Sequence, residues 1–381
     1  SWAFHVMSCT ICLTSWQKKQ QQKAQETNKR SSFGRTEHHN PNETLELVMN
    51  TPQSYLFEIN GAKRTLSDTF ALNGINLRMQ PSEIIGFVGA NGAGKTTVIR
   101  ALLGLLHLDS GEIRLFGQPF GANAPDTVQR ELRGRIGVVF DTCPFPSELT
   151  VKQAVACIAP AYPQWDASTF DGLLREFDIK PKTKVKNLSR GMSMKLQLAC
   201  ALSHNADLLI LDEATAGLDP VARDEILDRL SDFASDGTRG VLLSSHITSD
   251  LEHIADRVVG INAGTIIFDL PREEITDTVG VAHCTSEQAK EVLAVLSDLE
   301  METEGKGAGS SAEMPASECF GVSLPRVLQR AFSVDILVPD RFAFAQAFPD
   351  VACDRATIEE YLQFALKGAC LLDGVSRPQR P

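Results

Sequence analysis

The sequence has no excess of basic residues. It contains 37 lysines and arginines against 48 aspartates and glutamates, which gives a formal net charge of −11 over 381 residues. Proteins that bind nucleic acid or anionic lipid depend on clustered lysine and arginine. The charge balance therefore argues against a nucleic-acid partner, although it is compatible with a local basic patch.

Long apolar runs and a regular cysteine pattern are also lacking. No stretch approaches the roughly 20 apolar residues that a membrane-spanning helix needs, and the short apolar segment Ile11–Leu13 has no basic leader that would indicate a signal peptide. The nine cysteines are odd in number and scattered, which predicts free thiols rather than a disulfide framework. The single pair Cys9 and Cys12 is weak evidence for zinc.

One segment carries most of the information about function. The run Gly89-Ala90-Asn91-Gly92-Ala93-Gly94-Lys95-Thr96 has the phosphate-binding pattern G-x-x-x-x-G-K-[ST]. It stands between an apolar run, Ile84–Val88, and a predicted helix from Lys95 to about Leu106. The alternative is a chance glycine turn before a surface lysine, and that alternative does not explain this context. Glycine lets backbone N–H groups face phosphate oxygens. We expect these residues and Thr97 to bind nucleotide, with Lys95 on the β and γ phosphates and Thr96 on Mg²⁺.

Two carboxylates follow a second apolar run. Asp212 and Glu213 come directly after Leu208–Leu211, and in a parallel sheet that end faces the same crevice as the phosphate-binding loop. Asp212 is predicted to bind Mg²⁺, directly or through water. Glu213 is predicted to be the general base that polarises the attacking water. The alternative is that Asp212 and Glu213 form only a solvated turn after the strand. The phosphate-binding loop upstream makes this alternative the weaker of the two.

Two further signals are weak when taken alone. Leu188–Met192 precedes a predicted helix, so Ser189 and Gly191 are placed to contact an anion at a helix N-terminus. An ordinary capped helix explains the same pattern. His246 follows the predicted strand Val241–Ser244 and is placed to bond a γ phosphate, although a lone histidine is more often structural.

The order of segments predicts an α/β fold. Alternating apolar runs and helical patterns indicate a mainly parallel sheet, with an antiparallel β portion at one side that includes a hairpin at Asn262-Ala263-Gly264. We expect a disordered extension over residues 1–51, a nucleotide-binding domain over 52–270 with a helical subdomain at about 141–205, and a small α+β accessory domain over 271–381. Gly305–Ser317 is predicted to be a loop.

In combination and in this order, the segments resemble the ATP-binding subunits of ABC transporters from about Phe57 to Phe268. The matching motifs are Walker A (Gly89–Thr96), the signature (Leu188–Met192), Walker B (Leu208–Glu213), the D-loop (Gly217-Leu218-Asp219) and the switch histidine (His246). The segments Leu188–Leu196, Leu243–Leu251 and Asp354–Gly368 are similar to bacterial subunits of the multidrug and antibiotic-exporter type.

The resemblance implies a P-loop NTPase of the RecA-like type with ATP and Mg²⁺ as cofactors. It implies a homodimer or heterodimer that sandwiches ATP between Lys95, Thr96, Asp212 and Glu213 of one subunit and Ser189, Gly191 and the D-loop Asp219 of the other. The subunit would hydrolyse ATP and drive export through a separate transmembrane permease, at the cytoplasmic face of the cell membrane. The segment carrying Phe145, Tyr162 and Trp165 would receive the permease.

The sequence departs from the family pattern at several positions. Arg190 and Met192 replace the usual Gly and Gln of the signature. Asp141 stands where the family has Gln at a strand end, and because an Asp also binds Mg²⁺ or orients water, we assign it a catalytic and metal-binding role. Leu66 aligns with the aromatic residue that stacks on adenine, with Phe70 nearby. A soluble ABC ATPase that acts on ribosomes or DNA, and a regulatory ABC protein, are the alternatives.

Overall fold

The computed structural model describes residues 55–121, 124–304 and 325–370. The predicted disordered extension, the Cys9 and Cys12 pair and the predicted loop Gly305–Ser317 lie outside the described residues. All the elements named below belong to one compact unit.

The described strands are β1 (Phe57–Ser67), β2 (Phe70–Met79), β3 (Ile84–Val88), β4 (Ser110–Leu115), β5 (Gln118–Phe120), β6 (Ile136–Phe140), β7 (Leu208–Asp212), β8 (Gly240–Ser245), β9 (Arg257–Asn262), β10 (Thr265–Pro271), β11 (Gly280–Cys284), β12 (Arg326–Gln329), β13 (Val334–Val338), β14 (Ala352–Arg355) and β15 (Ala369–Cys370). The described α-helices are α1 (Lys95–Leu102), α2 (Asp126–Gly134), α3 (Val151–Ile158), α4 (Ala167–Glu176), α5 (Arg190–Leu202), α6 (Pro220–Ala234), α7 (Thr248–Ile254), α8 (Ser286–Glu304), α9 (Arg341–Ala347) and α10 (Ile358–Lys367).

The central sheet is mainly parallel and carries the candidate site at one edge. Its strand order is β10-β9-β3-β8-β7-β6, with parallel pairing from β9 to β6 and an antiparallel β9–β10 hairpin. Strands β3, β7 and β8 are buried along their whole length, which explains their continuous apolar sequences. The predicted hairpin and the predicted α/β fold class are therefore confirmed.

Two hydrophobic cores cover the two faces of this sheet. Alternate residues of β7 point to opposite sides, so Leu208 and Ile210 join one core while Leu209 and Leu211 join the other. The first core contains α1, α2 and an antiparallel sheet of order β2-β1-β4-β5. The second core contains helices α3 to α7 and α10. This layering fixes the strand ends that carry the candidate site.

Arg257 ties the antiparallel sheet to the central one. Its guanidinium lies 2.5 Å from Glu83 and 2.6 Å from Asp269, and it donates to the Arg78 carbonyl oxygen at 2.5 Å. Burial lowers the pKa of Arg257, but the two carboxylates outweigh burial and leave the pKa above its ordinary value. The arginine is therefore a fixed charge that holds two carboxylates between the sheets.

A third sheet lies towards the C-terminus, with strand order β14-β11-β13-β12-β15. Residues of β11, β13, α8 and α9 form its own small core. Helix α10 instead packs into the second core, where Tyr361 meets Phe268 edge-on with ring centroids 4.9 Å apart. The predicted domain boundaries stay predictions.

The prediction for the end of α1 was wrong. The helix ends at Leu102 rather than at about Leu106. The N–H groups of Gly104 and Leu105 bond back to the carbonyls of Ala101 and Arg100 at 2.9 and 2.8 Å, with Gly104 at a φ of 67°. A glycine just past the last turn terminates a helix in this way. Among the helices described, none is long and apolar enough to cross a membrane.

Candidate active site

The loop between β3 and α1 forms a cradle of backbone groups. Gly92 and Gly94 have positive φ angles of 80° and 120°, which other residues adopt only under strain. A Cβ at Gly89 would lie 2.3 Å from the carbonyl oxygen of Ile261, so the loop sits tightly against β9. Gly94 is the N-cap of α1 and has no side chain to cap it. The first-turn N–H groups can therefore serve an anion.

Lys95 already points into this cradle. Its side chain is 6% exposed, and its ammonium donates to the Gly89 carbonyl oxygen at 2.7 Å. The same nitrogen lies 3.2 Å from Oε1 of Glu213. The loop and the strand-end carboxylate are thus brought together around one cation, as the sequence predicted for a phosphate site.

Asp212 ends β7 next to the start of α1. Its Oδ1 accepts hydrogen bonds from the Ser244 hydroxyl at 2.8 Å and from the Thr96 hydroxyl at 3.2 Å. The role of Ser244 was not predicted from the sequence. Its only sequence signal is that a polar residue stands near the end of an apolar strand. In the structure it lies directly opposite Asp212 in the β7–β8 register. A threonine hydroxyl and a carboxylate are hard oxygen ligands that fit Mg²⁺. Among the described residues, no group of three or more His, Cys, Asp or Glu side chains is arranged to hold a metal ion.

Glu213 turns away from the strand and lies between two nitrogen groups. Its φ is +54°, and its backbone N–H donates to the Ser244 carbonyl oxygen at 3.1 Å. One carboxylate oxygen faces Lys95, and the other is hydrogen-bonded to Nδ1 of His246. Burial raises the pKa of Glu213, but the His246 hydrogen bond and the Lys95 charge outweigh burial and leave the pKa below its ordinary value. The carboxylate is therefore ionised at neutral pH and able to accept a proton.

The other predicted nucleotide contacts lie at two helix starts. Ser189 is the N-cap of α5, where its hydroxyl accepts from the Met192 N–H at 3.2 Å. Asp219 is the N-cap of α6, where its carboxylate accepts from the Ala222 N–H at 3.0 Å. Across the described part of the chain, no hydrogen bond or ion pair joins Ser189, Gly191 or Asp219 to residues 89–96. The structure of one chain does not bring the two sets together.

Asp141 lies at the same sheet edge as the acidic pair but has its own partner. It follows Phe140, which is opposite Asp212 in the β6–β7 register. Its carboxylate lies 2.5 Å from the guanidinium of Arg190. Sequence reasoning identified both residues as departures from the family pattern and did not predict that they would meet.

Phe70 contacts the nucleotide-binding loop. Its ring carbon Cζ would lie 3.1 Å from a Cβ at Gly94, whereas Leu66 is an exposed residue near the end of β1.

The aromatics of the predicted permease segment have neighbours within the chain. The Tyr162 ring stacks on His204 at a centroid distance of 4.1 Å, and Trp165 meets Phe170 at 5.3 Å.

Comparison with known sequences now decides the family. A family model described as ABC transporter matches residues 72–216. Nod factor export ATP-binding protein I of Burkholderia thailandensis is 35% identical over 224 residues, 57% of this chain and 72% of that protein. This chain belongs to the ABC transporter ATP-binding family. A second relative, the bacitracin transport ATP-binding protein BcrA of Bacillus licheniformis, is 34% identical over 203 residues, 53% of this chain and 65% of that protein, just under two thirds.

Solved ABC structures share the fold. One described as the structure of an ATP-binding subunit of an ABC transporter has a TM-score of 0.52 and 26% identity, and the match covers 58% of this chain and 91% of that one. CbiO1 of Clostridium perfringens, described as part of the ABC transporter complex cbiONQ, has a TM-score of 0.51 and 25% identity, with 66% and 98% covered. ABC transporter ATP-binding domains hydrolyse ATP. The predicted family, P-loop NTPase fold and ATPase class are confirmed, while the roles of individual residues stay predictions.

Proposed function

We propose that this chain is the ATP-hydrolysing motor subunit of an ABC exporter, coupled to a separate transmembrane permease. The observation that carries the proposal is the position of the Glu213 carboxylate, held between the buried ammonium of Lys95 and His246 at the mouth of the phosphate cradle. A relative named for Nod factor export supports the direction of transport.

The described residues fit Mg-ATP. Gly89–Thr96 and Thr97 would bind the phosphates, and Thr96 and Asp212 would hold Mg²⁺, which neutralises phosphate charge when it is bound. Lys95 would exchange its carbonyl and carboxylate partners for phosphate oxygens and stabilise charge on the transferred phosphoryl group. Glu213 would accept the proton of the attacking water, and His246 would fix the orientation of that carboxylate.

Two copies of the chain, or this chain with a related subunit, would close around ATP. Ser189, Gly191 and Asp219 lie at helix N-termini that one chain does not bring to its own phosphate loop, so they are suited to the nucleotide of a partner. A γ phosphate held from both sides would close the dimer, and its loss would remove the link. The dimer would work at the cytoplasmic face of the membrane.

Two further contacts belong to the proposal. Phe70 would stack on adenine, and its contact with the phosphate loop supports this role. The segment that contains Phe145, Tyr162 and Trp165 would receive the permease. Since Tyr162 and Trp165 also pack within the chain, charged substitutions there should be checked for folding before loss of co-purification with the permease is interpreted.

Turnover of Glu213→Gln tests the proposal. We expect this variant to retain ATP binding and to lose ATP hydrolysis, because it keeps the shape of the site without the base. Lys95→Ala should instead weaken ATP binding itself. Glu225→Gln is a matched control, because it removes an exposed carboxylate of α6 that pairs with Lys195 of α5. Wild-type turnover in Glu213→Gln would refute the base assignment.

A further inference from the structure

The two positions at which the motifs depart from the family pattern form one ion pair. Arg190 is the first residue of α5, and Asp141 follows the carboxyl end of β6. Their side chains meet at 2.5 Å and are 47% and 52% exposed. An exposed pair of this kind contributes little to folding stability. The position of the Arg190–Asp141 ion pair between two motifs therefore says more about its role than its small contribution to stability does.

A second contact joins the same two elements farther along the helix. The buried side-chain amide of Gln197 accepts a hydrogen bond from the Phe140 N–H at 3.0 Å and donates to the Phe140 carbonyl at 3.1 Å. Gln197 lies about two helical turns after Arg190. The amide thus fixes the middle of α5 to β6, and the ion pair fixes its first turn.

The Arg190 side chain also lies against the D-loop. A Cβ at Gly217 would be 3.4 Å from Nε of Arg190 and 3.5 Å from its Cδ and Cζ. The arginine therefore connects the end of β6, the start of α5 and the segment Gly217-Leu218-Asp219. These three segments carry Asp141, Ser189 with Gly191, and Asp219.

The electrostatics of helix α5 do not favour a cation at Arg190, in its first turn. The N-terminus of a helix carries partial positive charge, and a cation in the first turn is unfavourable. Asp141 offsets that repulsion from outside the helix. The arginine is thus better explained by its contact with Asp141 than by any benefit to α5 itself.

We propose that Arg190 and Asp141 are positioning residues that anchor the first turn of α5 to the end of β6. The anchor sets the orientation in which Ser189 and Gly191 meet the ATP of the partner subunit. Asp141 directly follows Phe140, which lies opposite Asp212 of the same subunit, so the pair would link the two nucleotide sites. This consequence rests on the proposed function. The Asp141 carboxylate then has an arginine partner in place of Mg²⁺.

Hydrogen exchange in the nucleotide-free chain tests the anchor without ATP or a dimer. In Arg190→Gln we expect the amides of residues 192–195 to exchange about two- to fivefold faster, because the first turn loses its tether. Removal of the unfavourable helix charge alone would slow exchange, so the two explanations differ in sign. Asp141→Asn should also accelerate exchange, and the double variant should add little to either single change.

Arg229→Gln is the matched control, since it removes an ion pair to Glu176 of similar exposure, 37% and 46%, between α6 and α4. It should leave residues 192–195 unchanged. Unchanged or slower exchange in both Arg190→Gln and Asp141→Asn would overturn the anchor.

A magnesium titration separates the anchor from a metal ligand. With a fluorescent ATP analogue as the probe, Asp141→Asn should leave the half-saturating Mg²⁺ concentration within about twofold of wild type. A tenfold or larger increase would assign Asp141 to the metal and overturn the inference.

In a Glu213→Gln background, Arg190→Gln should raise the ATP concentration for half-maximal dimerisation about fivefold. If Glu213→Gln forms no dimer, either alone or with the related subunit, the proposed function fails, and hydrogen exchange still decides the anchor.

Discussion

The Glu213 carboxylate should compete with ATP for the ammonium of Lys95. The buried Lys95 nitrogen lies 3.2 Å from Glu213 Oε1 and 2.7 Å from the Gly89 carbonyl oxygen. An incoming phosphate must take over this cation while facing a carboxylate that is ionised at neutral pH, because its pKa lies below the ordinary value. Glu213→Gln removes the negative charge and keeps the size of the side chain. We therefore expect the substitution to tighten binding of ATP to a single chain.

Coulomb's law sets the scale of this effect. Two unit charges about 4 Å apart interact by about 4 kcal/mol at an effective dielectric constant of about 20, which is an upper bound here. The carboxylate is also hydrogen-bonded to His246, so less than this upper bound acts on an incoming phosphate. We expect about 1.4 kcal/mol to remain, which corresponds to a roughly tenfold lower Kd.

The assay is calorimetric or fluorescence titration with ATP in EDTA, where no metal supports turnover, on protein too dilute to dimerise. Wild type, Glu213→Gln and Glu225→Gln are compared. The last variant removes an equal charge at an exposed site and should match wild type within about twofold. Equal or weaker ATP binding in Glu213→Gln would refute the competition.

Three further predictions follow from individual contacts. Gly89→Ala forces a Cβ to within 2.3 Å of the Ile261 carbonyl oxygen, so it should destabilise the fold by about 1–3 kcal/mol in denaturant unfolding and weaken ATP binding. His246→Gln should lower kcat by roughly 10²-fold. Because His246 lowers the pKa of Glu213 and the base acts only when deprotonated, the acid limb of the pH–rate profile should move to higher pH in this variant. Arg257→Met should cost about 3 kcal/mol of unfolding free energy, since it leaves two largely buried carboxylates without their cation.

Much of the site was predictable because its signals are local in sequence. The loop that carries Lys95 has a fixed spacing of glycines, and the strand before Asp212 is a continuous apolar run. The topology of parallel sheets then places both at one edge. That inference needed no knowledge of side-chain contacts, and the contacts among Lys95, Thr96, Asp212 and Glu213 agree with it.

What the sequence did not reveal depends on pairing between distant segments. Ser244 reads as the polar end of a strand, and only the β7–β8 register shows that it bonds Asp212. Asp141 and Arg190 are 49 positions apart, and their ion pair depends on how α5 docks on β6. Strands β11, β12 and β14 were missed for a related reason. They are short. Antiparallel partners distant in the chain stabilise β11 and β14, while β12 forms a hairpin with β13.

Analytical ultracentrifugation of Glu213→Gln with Mg-ATP is the most direct test of ATP-dependent association, because it measures the mass of the protein in solution. We predict a doubling of the mass on addition of ATP, or formation of a one-to-one complex with a related subunit where the natural assembly is mixed, and reversal when ADP replaces ATP. A chain that binds ATP to saturation and still sediments as a monomer, alone and with the related subunit, would contradict the account.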